Sequence, residues 1–418
     1  MKRIISTVHA STRDMTEDVM EENPSAKFAD GRQVFCALSL RVLAIFAAIL
    51  LVIVSSGVAG TENGSSDFQK DFFVSKGGKL IVSVSVGDIQ VRVWDKSQVQ
   101  MTAQDIGEDA DRVETDQSGN IVNVRYRVHG GLWGSSRNLR FIFYVPSNFN
   151  LDLSTSGGDV TIEGQLVGDV DLSTSGGDLK IDDVDGKADG KTSGGDIIVH
   201  NLEKDATLST SGGDIRVDHA ASDLQVSTSG GDIVVGTVGK DLDASTAGGD
   251  ISIEKAGGNL RASTSSGDMT IGKIGGNVDI STSGGDILLA SGNGHVSANT
   301  SGGDIEVMNA TGSVDVWSSG GTVKVCLTPK GNQESRIESS GGDVYLYVPS
   351  DAKASIRAEV SGSDDNEIVS DFPVVIYDKS HGYGNETGKI TLNGGGQKIY
   401  LHSSGGNISV KKLSSFSK

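Results

Sequence analysis

The sequence predicts an all-β fold, a parallel β-solenoid with 18-residue, two-strand rungs, preceded by an N-terminal hydrophobic helix. The first observation behind this prediction is a tetrapeptide, Ser-Gly-Gly-Asp or a close variant, that recurs nine times in the 418-residue chain. The first interval between its aspartates is 19 residues and the other seven are 18. A short fixed period indicates one structural unit stacked on itself, and each copy is called a rung below. The repeated aspartates are Asp159, Asp178, Asp196, Asp214, Asp232, Asp250, Asp268, Asp286 and Asp304.

The second observation is an alternation of apolar and polar residues inside each repeat. In one rung, Ile215 and Val217 lie one and three positions after the repeated aspartate, and Leu224 and Val226 lie ten and twelve positions after it. Alternation over about four residues is typical of a short strand, so each rung should hold two strands with these side chains facing inward. Residues 150–316 contain no Phe, Tyr, Trp or Pro, as expected of a thin core of small aliphatic side chains.

The third observation concerns the glycines, which predict the corners between strands. We expect the Gly-Gly pair before each aspartate to take positive φ and turn the chain tightly. Gly257-Gly258 and Gly275-Gly276 predict a second corner in their rungs. Asp or Asn often stands nine positions after the repeated aspartate, so the 18-mer reads as two related halves. These residues are Asp205, Asp223, Asp241, Asn259 and Asn277.

Composition divides the chain into five segments. Residues 1–41 are a polar leader, expected to be disordered or to precede the true start, and residues 42–60 are a signal peptide or a transmembrane anchor. Residues 61–150 are expected to form an N-terminal β cap region. Residues 151–325 are the regular β-solenoid repeats, and residues 326–418 are an irregular C-terminal end of the solenoid.

The apolar run VLAIFAAILLVIV at residues 42–54 predicts export of the residues that follow it. The small residues Gly57 and Ala59 resemble a signal-peptidase site, and cleavage there would release the mature chain. Retention of the run would instead anchor the chain in the membrane, with basic residues on the inner side. Both alternatives place residues 61–418 outside the cytoplasmic membrane.

The two ends of the solenoid are predicted to be less regular. Aromatic residues gather before the repeats, and we expect them to form a bulkier core that closes the end of the solenoid. An aromatic platform for a ligand is the alternative. Residues 361–388 are polar, glycine-rich and acidic, and look like a long loop. The aromatic residues are Phe72, Phe73, Trp94, Tyr126, Trp133, Phe141, Phe143 and Tyr144.

Charge and cysteine content exclude some classes of partner. The formal net charge of −19 argues against nucleic acid and against anionic lipid surfaces, because like charges repel. The chain has two cysteines, Cys36 and Cys326, and only Cys326 follows the apolar run. An intramolecular disulfide is therefore not expected in the exported part, and Cys326 is expected to be a small buried hydrophobic residue.

The nine repeated aspartates, called the aspartate edge below, are the sharpest candidate for a functional site. Carboxylates at strand spacing repel one another, so hydrogen bonds or cations must relieve them. Carboxylate oxygens suit calcium, but the calcium-binding nonapeptide places its apolar residue two positions after Asp, whereas here it is adjacent. We therefore expect the aspartates to cap turns, with calcium ligation as the less favoured alternative. No catalytic or cofactor-binding residue is predicted, because histidine pairs at metal-ligand or triad spacing and nucleotide fingerprints are absent.

The motifs resemble the bacterial putative-adhesin family of β-strand-repeat proteins, a domain of unknown function. The residues that carry the resemblance are Gly87-Asp88-Ile89-x-Val91, the segment Phe143-Tyr144-Val145-Pro146, the run from Leu151 to Asp159, and the closing Ser404-Gly405-Gly406-Asn407-Ile408-x-Val410. The resemblance covers roughly residues 68–412. It implies a secreted or membrane-anchored β-solenoid, with adhesion suggested and no catalytic residue to carry over.

Three functions remain open on the sequence. The favoured one is an exported, non-enzymatic β-solenoid surface protein, acting as an adhesin or a structural binding scaffold for a protein or polysaccharide of the cell envelope. The second is a membrane-anchored envelope sensor or scaffold that keeps its N-terminal segment. The third and least favoured is a carbohydrate-active enzyme, which would need convergent acidic and basic groups that uniform rungs do not offer.

Overall fold

A computed structural model describes residues 67–128, 138–363, 365–380 and 385–415 of the chain. The chain divides into two units, residues 1–63 and 64–418, and all described residues belong to the second unit. The predicted leader and the hydrophobic helix at 42–60 therefore lie outside the described residues. Within the described ranges, no helix has the length and apolar character that crossing a membrane requires.

The described chain is all-β, as predicted, with two short 3-10 helices at Gly107–Arg112 and Leu413–Ser415. The strands before and at the start of the repeats are β1 (Phe68–Phe73), β2 (Gly78–Val84), β3 (Asp88–Trp94), β4 (Gln98–Gln104), β5 (Val113–Ser118), β6 (Ile121–Tyr126), β7 (Arg140–Pro146), β8 (Phe149–Thr155), β9 (Val160–Val167) and β10 (Val170–Ser173).

The strands of the regular repeats are β11 (Leu179–Asp185), β12 (Ala188–Lys191), β13 (Ile197–Leu202), β14 (Ala206–Ser209), β15 (Ile215–Ala220), β16 (Leu224–Ser227), β17 (Ile233–Val238), β18 (Leu242–Ser245), β19 (Ile251–Ala256), β20 (Leu260–Ser263), β21 (Met269–Ile274), β22 (Val278–Ser281), β23 (Ile287–Gly292), β24 (Val296–Thr300), β25 (Ile305–Gly312) and β26 (Val314–Ser318). The C-terminal strands are β27 (Val323–Pro329), β28 (Ser335–Ser339), β29 (Val344–Val348), β30 (Ala354–Val360), β31 (Ile368–Ser370), β32 (Val374–Ser380), β33 (Asn385–Leu392), β34 (Gln397–Ser403) and β35 (Ile408–Lys412).

The strands form two long sheets, and consecutive strands of the repeats alternate between them. In the first sheet the odd-numbered strands from β9 to β29 are neighbours in sequence order, with β3, β7, β4 and β1 beyond one end and β35 and β31 beyond the other. In the second sheet the even-numbered strands from β8 to β28 are neighbours in order, with β2, β6 and β5 beyond one end. At its other end the order is β28, β34, β30, β33 and β32.

Within the repeats both sheets are parallel, and equivalent positions stack on one another. In the first sheet Ile197 pairs with Ile215, and Ile215 pairs with Ile233. In the second sheet Leu224 pairs with Leu242. Parallel strands stacked in this way lie about 4.8 Å apart, so each side chain meets its counterpart from the next repeat.

The core lies between the two sheets and is built from the positions that the alternation predicts. Ile215 is 0%, Val217 1%, Leu224 2% and Val226 1% exposed. Burial of such aliphatic side chains contributes about 1.5–3 kcal/mol each, and the contribution repeats in every rung. One continuous cluster of buried side chains therefore runs through the described part of the solenoid.

The reason for the corner glycines differs from the one that the sequence suggested. Gly212 and Gly213 do not have positive φ, nor do the other Gly-Gly pairs before the repeated aspartates, so that expectation was wrong. The second glycine is required by a close approach instead, because a Cβ on Gly213 would lie 2.1–2.4 Å from the Gly195 carbonyl group one rung earlier. Gly258 and Gly276 likewise have no positive φ at the second corner.

Antiparallel strands and large side chains occupy the N-terminal end of the solenoid. Strands β1, β4 and β7 pair in antiparallel fashion, as do β5 and β6. Among the eight predicted aromatic residues, Phe72, Tyr126, Phe141 and Phe143 are buried, and Phe73 is 81% exposed. Trp94 and Tyr144 are half-buried, and Trp133 lies outside the described residues.

The C-terminal end is more ordered than the sequence suggested. The expectation of a long loop at 361–388 was wrong, because β31, β32 and the start of β33 lie there. Strand β33 pairs antiparallel with both β30 and β32. Its outward residues Thr387, Lys389 and Thr391 are polar, so the composition of the segment suggested a loop. Cys326 is buried on β27, as expected.

Candidate functional site

The aspartate edge is a ladder of side chain to backbone hydrogen bonds between successive rungs. The backbone N–H of each repeated aspartate donates to Oδ1 of the aspartate one rung earlier, at 2.7–3.0 Å along the whole series from Asp159 to Asp304. These N–H groups stand at the corners, where the strand ladders leave a gap. Each carboxylate therefore satisfies a backbone donor of the next rung.

The ladder extends beyond the nine predicted residues. Asp159 donates its N–H to Oδ1 of Asp88 at 3.1 Å, so the ladder begins in the N-terminal cap. Thr322 ends the regular series by donating to Asp304 at 2.7 Å. Near the C-terminal end, the Asn407 N–H donates to Oδ1 of Asp343 at 2.7 Å. The module at Asp88, Asp343 and Asn407 is thus the same corner used at both ends.

A column of buried threonines supports the corner from inside. The Thr228 hydroxyl donates to the Gly213 carbonyl oxygen at 2.9 Å and accepts from the Gly231 N–H at 3.3 Å. No role was predicted for these threonines, although the recurrence of Thr three positions before the second glycine was the available signal. The equivalent hydroxyls belong to Thr174, Thr192, Thr210, Thr246, Thr264, Thr282 and Thr300.

The second corner repeats the same device. Oδ1 of Asp223 accepts the Asp241 N–H at 3.1 Å, and Oδ1 of Asp241 accepts the Asn259 N–H at 2.7 Å. Oδ1 of Asn259 accepts the Asn277 N–H at 2.9 Å. Asp and Asn are interchangeable here because both offer a side-chain oxygen as the acceptor. A hydrogen bond from the Ser222 hydroxyl lowers the pKa of Asp205, the first of the predicted residues at this corner.

The outer faces carry few ion pairs near the aspartate edge. Lys180 lies 3.3 Å from Oδ2 of Asp178. On the first sheet, Oδ2 of Asp218 lies 2.9 Å from Nδ1 of His200, and Oδ1 of Asp218 lies 2.9 Å from Arg216. The hydrogen bond from His200 and the positive charge of Arg216 lower the pKa of Asp218.

No three His, Cys, Asp or Glu side chains in the described ranges stand together as a metal site would require. Burial raises the pKa of the Cys326 thiol to about 12, which disfavours the thiolate nucleophile. His219 and His295 face the hydroxyls of Thr237 and Ser313, each 18 residues away, rather than another histidine.

These features define a parallel β-solenoid protein in which the repeated motif forms a structural corner. The chain belongs to the Toastrack DUF4097 family, whose pattern matches residues 78–237 and 235–411. This confirms the resemblance to a β-strand-repeat family of unknown function. A comparison with curated proteins finds no match.

Solved structures with weak similarity include three from bacteria. A putative adhesin from Bacteroides fragilis is 11% identical, with 85% of this chain and 100% of that chain covered and a TM-score of 0.25. A putative cell adhesion protein from Clostridium sporogenes is 8% identical, with 83% and 99% covered and a TM-score of 0.16. A putative adhesin from Parabacteroides distasonis is 13% identical, with 68% and 93% covered and a TM-score of 0.21.

Proposed function

We propose that the chain is an exported, non-enzymatic surface protein that works as an adhesin or a structural binding scaffold at the cell envelope. Its repeating unit is the 18-residue, two-strand rung, and the repeats hold the outer faces of the two sheets in a fixed register. The observation that carries the proposal is the aspartate edge. Its carboxylates are the most regularly repeated polar groups, and they accept hydrogen bonds from the protein's own backbone, as Asp232 does from the Asp250 N–H. Function then belongs to the outer faces and the two ends.

The aspartate edge acts in this proposal as turn capping and not as a row of calcium sites. Each carboxylate accepts a hydrogen bond from a backbone N–H of the next rung, so one of its oxygens has a partner without a metal. Calcium would need several oxygen ligands that converge on one point. The ladder spreads its carboxylates along a line, one for each rung.

The alternative, a membrane-anchored sensor or scaffold, is favoured by the uninterrupted apolar run at residues 42–54. Cleavage after this run would give a released surface protein, and retention would give an anchored one. Mass spectrometry of the mature N-terminus distinguishes the two. A carbohydrate-active enzyme remains the least favoured alternative, because the regular rungs carry no loop insertions that could form a cleft.

Export is the part of the proposal that one experiment tests most simply. A reporter that is active only in the cytoplasm, fused after Lys418 of the full chain, should be silent in the producing bacterium. The same reporter fused to a chain lacking residues 1–60 should be active, which controls for folding of the fusion. Strong activity of the full-length fusion would overturn the proposal.

A further inference from the structure

The outer face of the second sheet changes in character in its last rungs. Residues 150–316 contain no aromatic residue, and Trp317 on β26, which is 38% exposed, ends this run on the outer face. Beyond it, Arg336 and Tyr400 pair across β28 and β34, and Tyr400 and Arg357 pair across β34 and β30. Lys389 on β33 follows Arg357 in the same row.

A shallow cleft of about 420 Å³ opens beside this row. Arg357, Lys389 and Lys398 line it together with Tyr400, and Glu334 is its one acidic lining residue. The volume falls in the range of about 300–1,000 Å³ that is typical of small-ligand sites. Three cations around one cleft are unusual in a chain of net charge −19. We call Trp317, the cations of this row and cleft, Tyr400 and the glutamates next to them the C-terminal patch.

The cations of the C-terminal patch differ in their partners. Arg357 lies 3.6 Å from Oε2 of Glu359, and Arg336 lies 3.9 Å from Oε1 of Glu338. Both pairs are exposed and loose, so they hold the guanidinium groups weakly. Lys389 and Lys398 have no ion pair within the described ranges of the chain and are exposed. Charged donors are thus available to an incoming anion.

The acidic groups of the C-terminal patch limit what the ligand can be. The four cations stand next to Glu334, Glu338 and Glu359, and Asp315 pairs with Arg336 across β26 and β28, so the formal charges of the row and cleft cancel. A strongly acidic peptide, or the aspartate edge of a second copy, would meet these glutamates and gain little. A ligand with many hydroxyls and widely spaced carboxylates would instead use both kinds of group, since hydroxyls donate to glutamates and carboxylates accept from Arg and Lys.

The ring of Tyr400 adds a second kind of contact. Its hydroxyl donates to Oε2 of Glu359 at 3.1 Å, which fixes the ring against the face of the sheet. Arg336 lies over the ring, 5.7 Å from its centroid. Tyrosine and tryptophan rings present apolar surface together with a polar group, which suits the C–H faces and hydroxyls of a sugar.

We propose that the C-terminal patch binds an acidic polysaccharide, with Arg357, Lys389 and Lys398 holding its carboxylates and Tyr400 and Trp317 contacting sugar rings. This inference rests on the proposed surface function and names the class of ligand for it. The strand order β28, β34, β30, β33 creates the site, because it brings residues 336, 400, 357 and 389 into one row.

Binding of size-fractionated polygalacturonate to the full chain, measured by titration calorimetry, tests the inference. The double variant R357Q/K389Q should bind about tenfold more weakly or worse, since two charge-assisted contacts are lost. R261Q is the matched control, because Arg261 occupies the same outward position on β20 and pairs with Asp279 at 3.6 Å. R261Q should bind as the unmodified chain does. If R357Q/K389Q does not fold, the single variant K398Q carries the test.

Two further polymers distinguish the class of ligand. Fully methyl-esterified polygalacturonate keeps the hydroxyls but lacks the charge, and polyglutamate keeps carboxylates but lacks the hydroxyls. Both should bind at least about tenfold more weakly than polygalacturonate, since each loses one of the two kinds of contact.

Three results would overturn the inference. The first is wild-type affinity in R357Q/K389Q, or in K398Q where K398Q carries the test. The second is an equal loss of affinity in R261Q. The third is equal or stronger binding of either comparison polymer, which for polyglutamate would indicate an acidic peptide partner.

The inference and the proposed function fail in different experiments. A chain that is exported in the reporter assay but binds no polygalacturonate overturns the acidic-polysaccharide inference alone. A chain that binds polygalacturonate but remains in the cytoplasm overturns the proposed surface function. Salt-dependent self-association that R357Q/K389Q abolishes, without binding of polygalacturonate, would show that a second copy occupies the C-terminal patch and would also overturn the inference.

Discussion

The backbone N–H of Asp250 donates a 2.8 Å hydrogen bond to Oδ1 of Asp232, one rung earlier. The same bond recurs between successive aspartates along the edge and reconciles a column of like charges with a stable fold. Each carboxylate accepts a hydrogen bond from an N–H group that the strand ladders leave unpaired. The motif of one rung therefore stabilises the same motif in the next rung. Three kinds of group cooperate at this corner: the aspartate oxygen, the buried threonine hydroxyl and the second glycine.

Replacement of Asp232 tests the capping role. Asp232→Asn should change the free energy of unfolding little, because Asn keeps an acceptor oxygen and removes like-charge repulsion. Asp232→Ala should cost about 1 kcal/mol, the scale of a lost cap. Urea unfolding followed by circular dichroism measures both. Asp243→Ala, on an exposed outward position of β18, is the control and should cost less than about 0.5 kcal/mol.

Removal of the Thr228 hydroxyl should cost more than removal of an exposed one. Thr228→Val keeps the shape but leaves the Gly213 carbonyl oxygen and the Gly231 N–H without their partner. A cost of about 1–3 kcal/mol is expected for buried groups left unsatisfied. Thr228→Ser should restore most of it, and Thr207→Val, at an exposed position, should be nearly neutral. Equal stability of Thr228→Val and Thr207→Val would contradict the role of the hydroxyl.

Two adjacent glycines test whether the corner needs glycine because successive rungs approach closely or because the backbone needs conformational freedom. A Cβ on Gly213 would lie 2.1–2.4 Å from the carbonyl group of the preceding rung, whereas the nearest atom to a Cβ on Gly212 would be 3.6 Å away. Gly213→Ala should therefore cost about 3 kcal/mol or more, and Gly212→Ala should cost much less. Thermal unfolding of both variants measures the difference. Similar costs would show that the corner needs glycine for another reason.

The inward assignment of the strands is tested by two neighbouring residues. Ile233 is 0% exposed and Val234 is 38% exposed on the same strand. Ile233→Asp should prevent folding or lower the unfolding midpoint strongly, because a lone charge in a thin core has no partner. Val234→Asp should leave the midpoint nearly unchanged. A stable, folded Ile233→Asp variant would refute the core assignment.

The regular rungs were predictable because their information is local and repeated. The inward positions of Ile215, Val217, Leu224 and Val226 follow from alternation alone. The role of the corner glycines was not predictable in the same way, since a single rung does not reveal how closely the next rung approaches. The sequence suggested that the glycines are needed for a positive φ, whereas the close contact between rungs is what requires them.

The C-terminal end was harder to predict because neighbours in space are distant in sequence. Strand β34 inserts between β28 and β30, so Tyr400 lies between Arg336 and Arg357. No spacing rule in the sequence anticipates this order. Strand β33 was harder to recognise for another reason, because its outward residues are polar and suggested a loop. Strands β32 and β33 also pair antiparallel, unlike the repeats.

A calcium titration of thermal stability tests the central claim most directly. The claim is that hydrogen bonds within the chain, and not metal ions, satisfy the aspartate edge. Millimolar calcium should raise the unfolding midpoint of the full chain by no more than sodium chloride of equal ionic strength does, since both only screen the carboxylates. A rise of tens of degrees with calcium, but not with sodium, would show that calcium binds the folded chain specifically and would contradict the account.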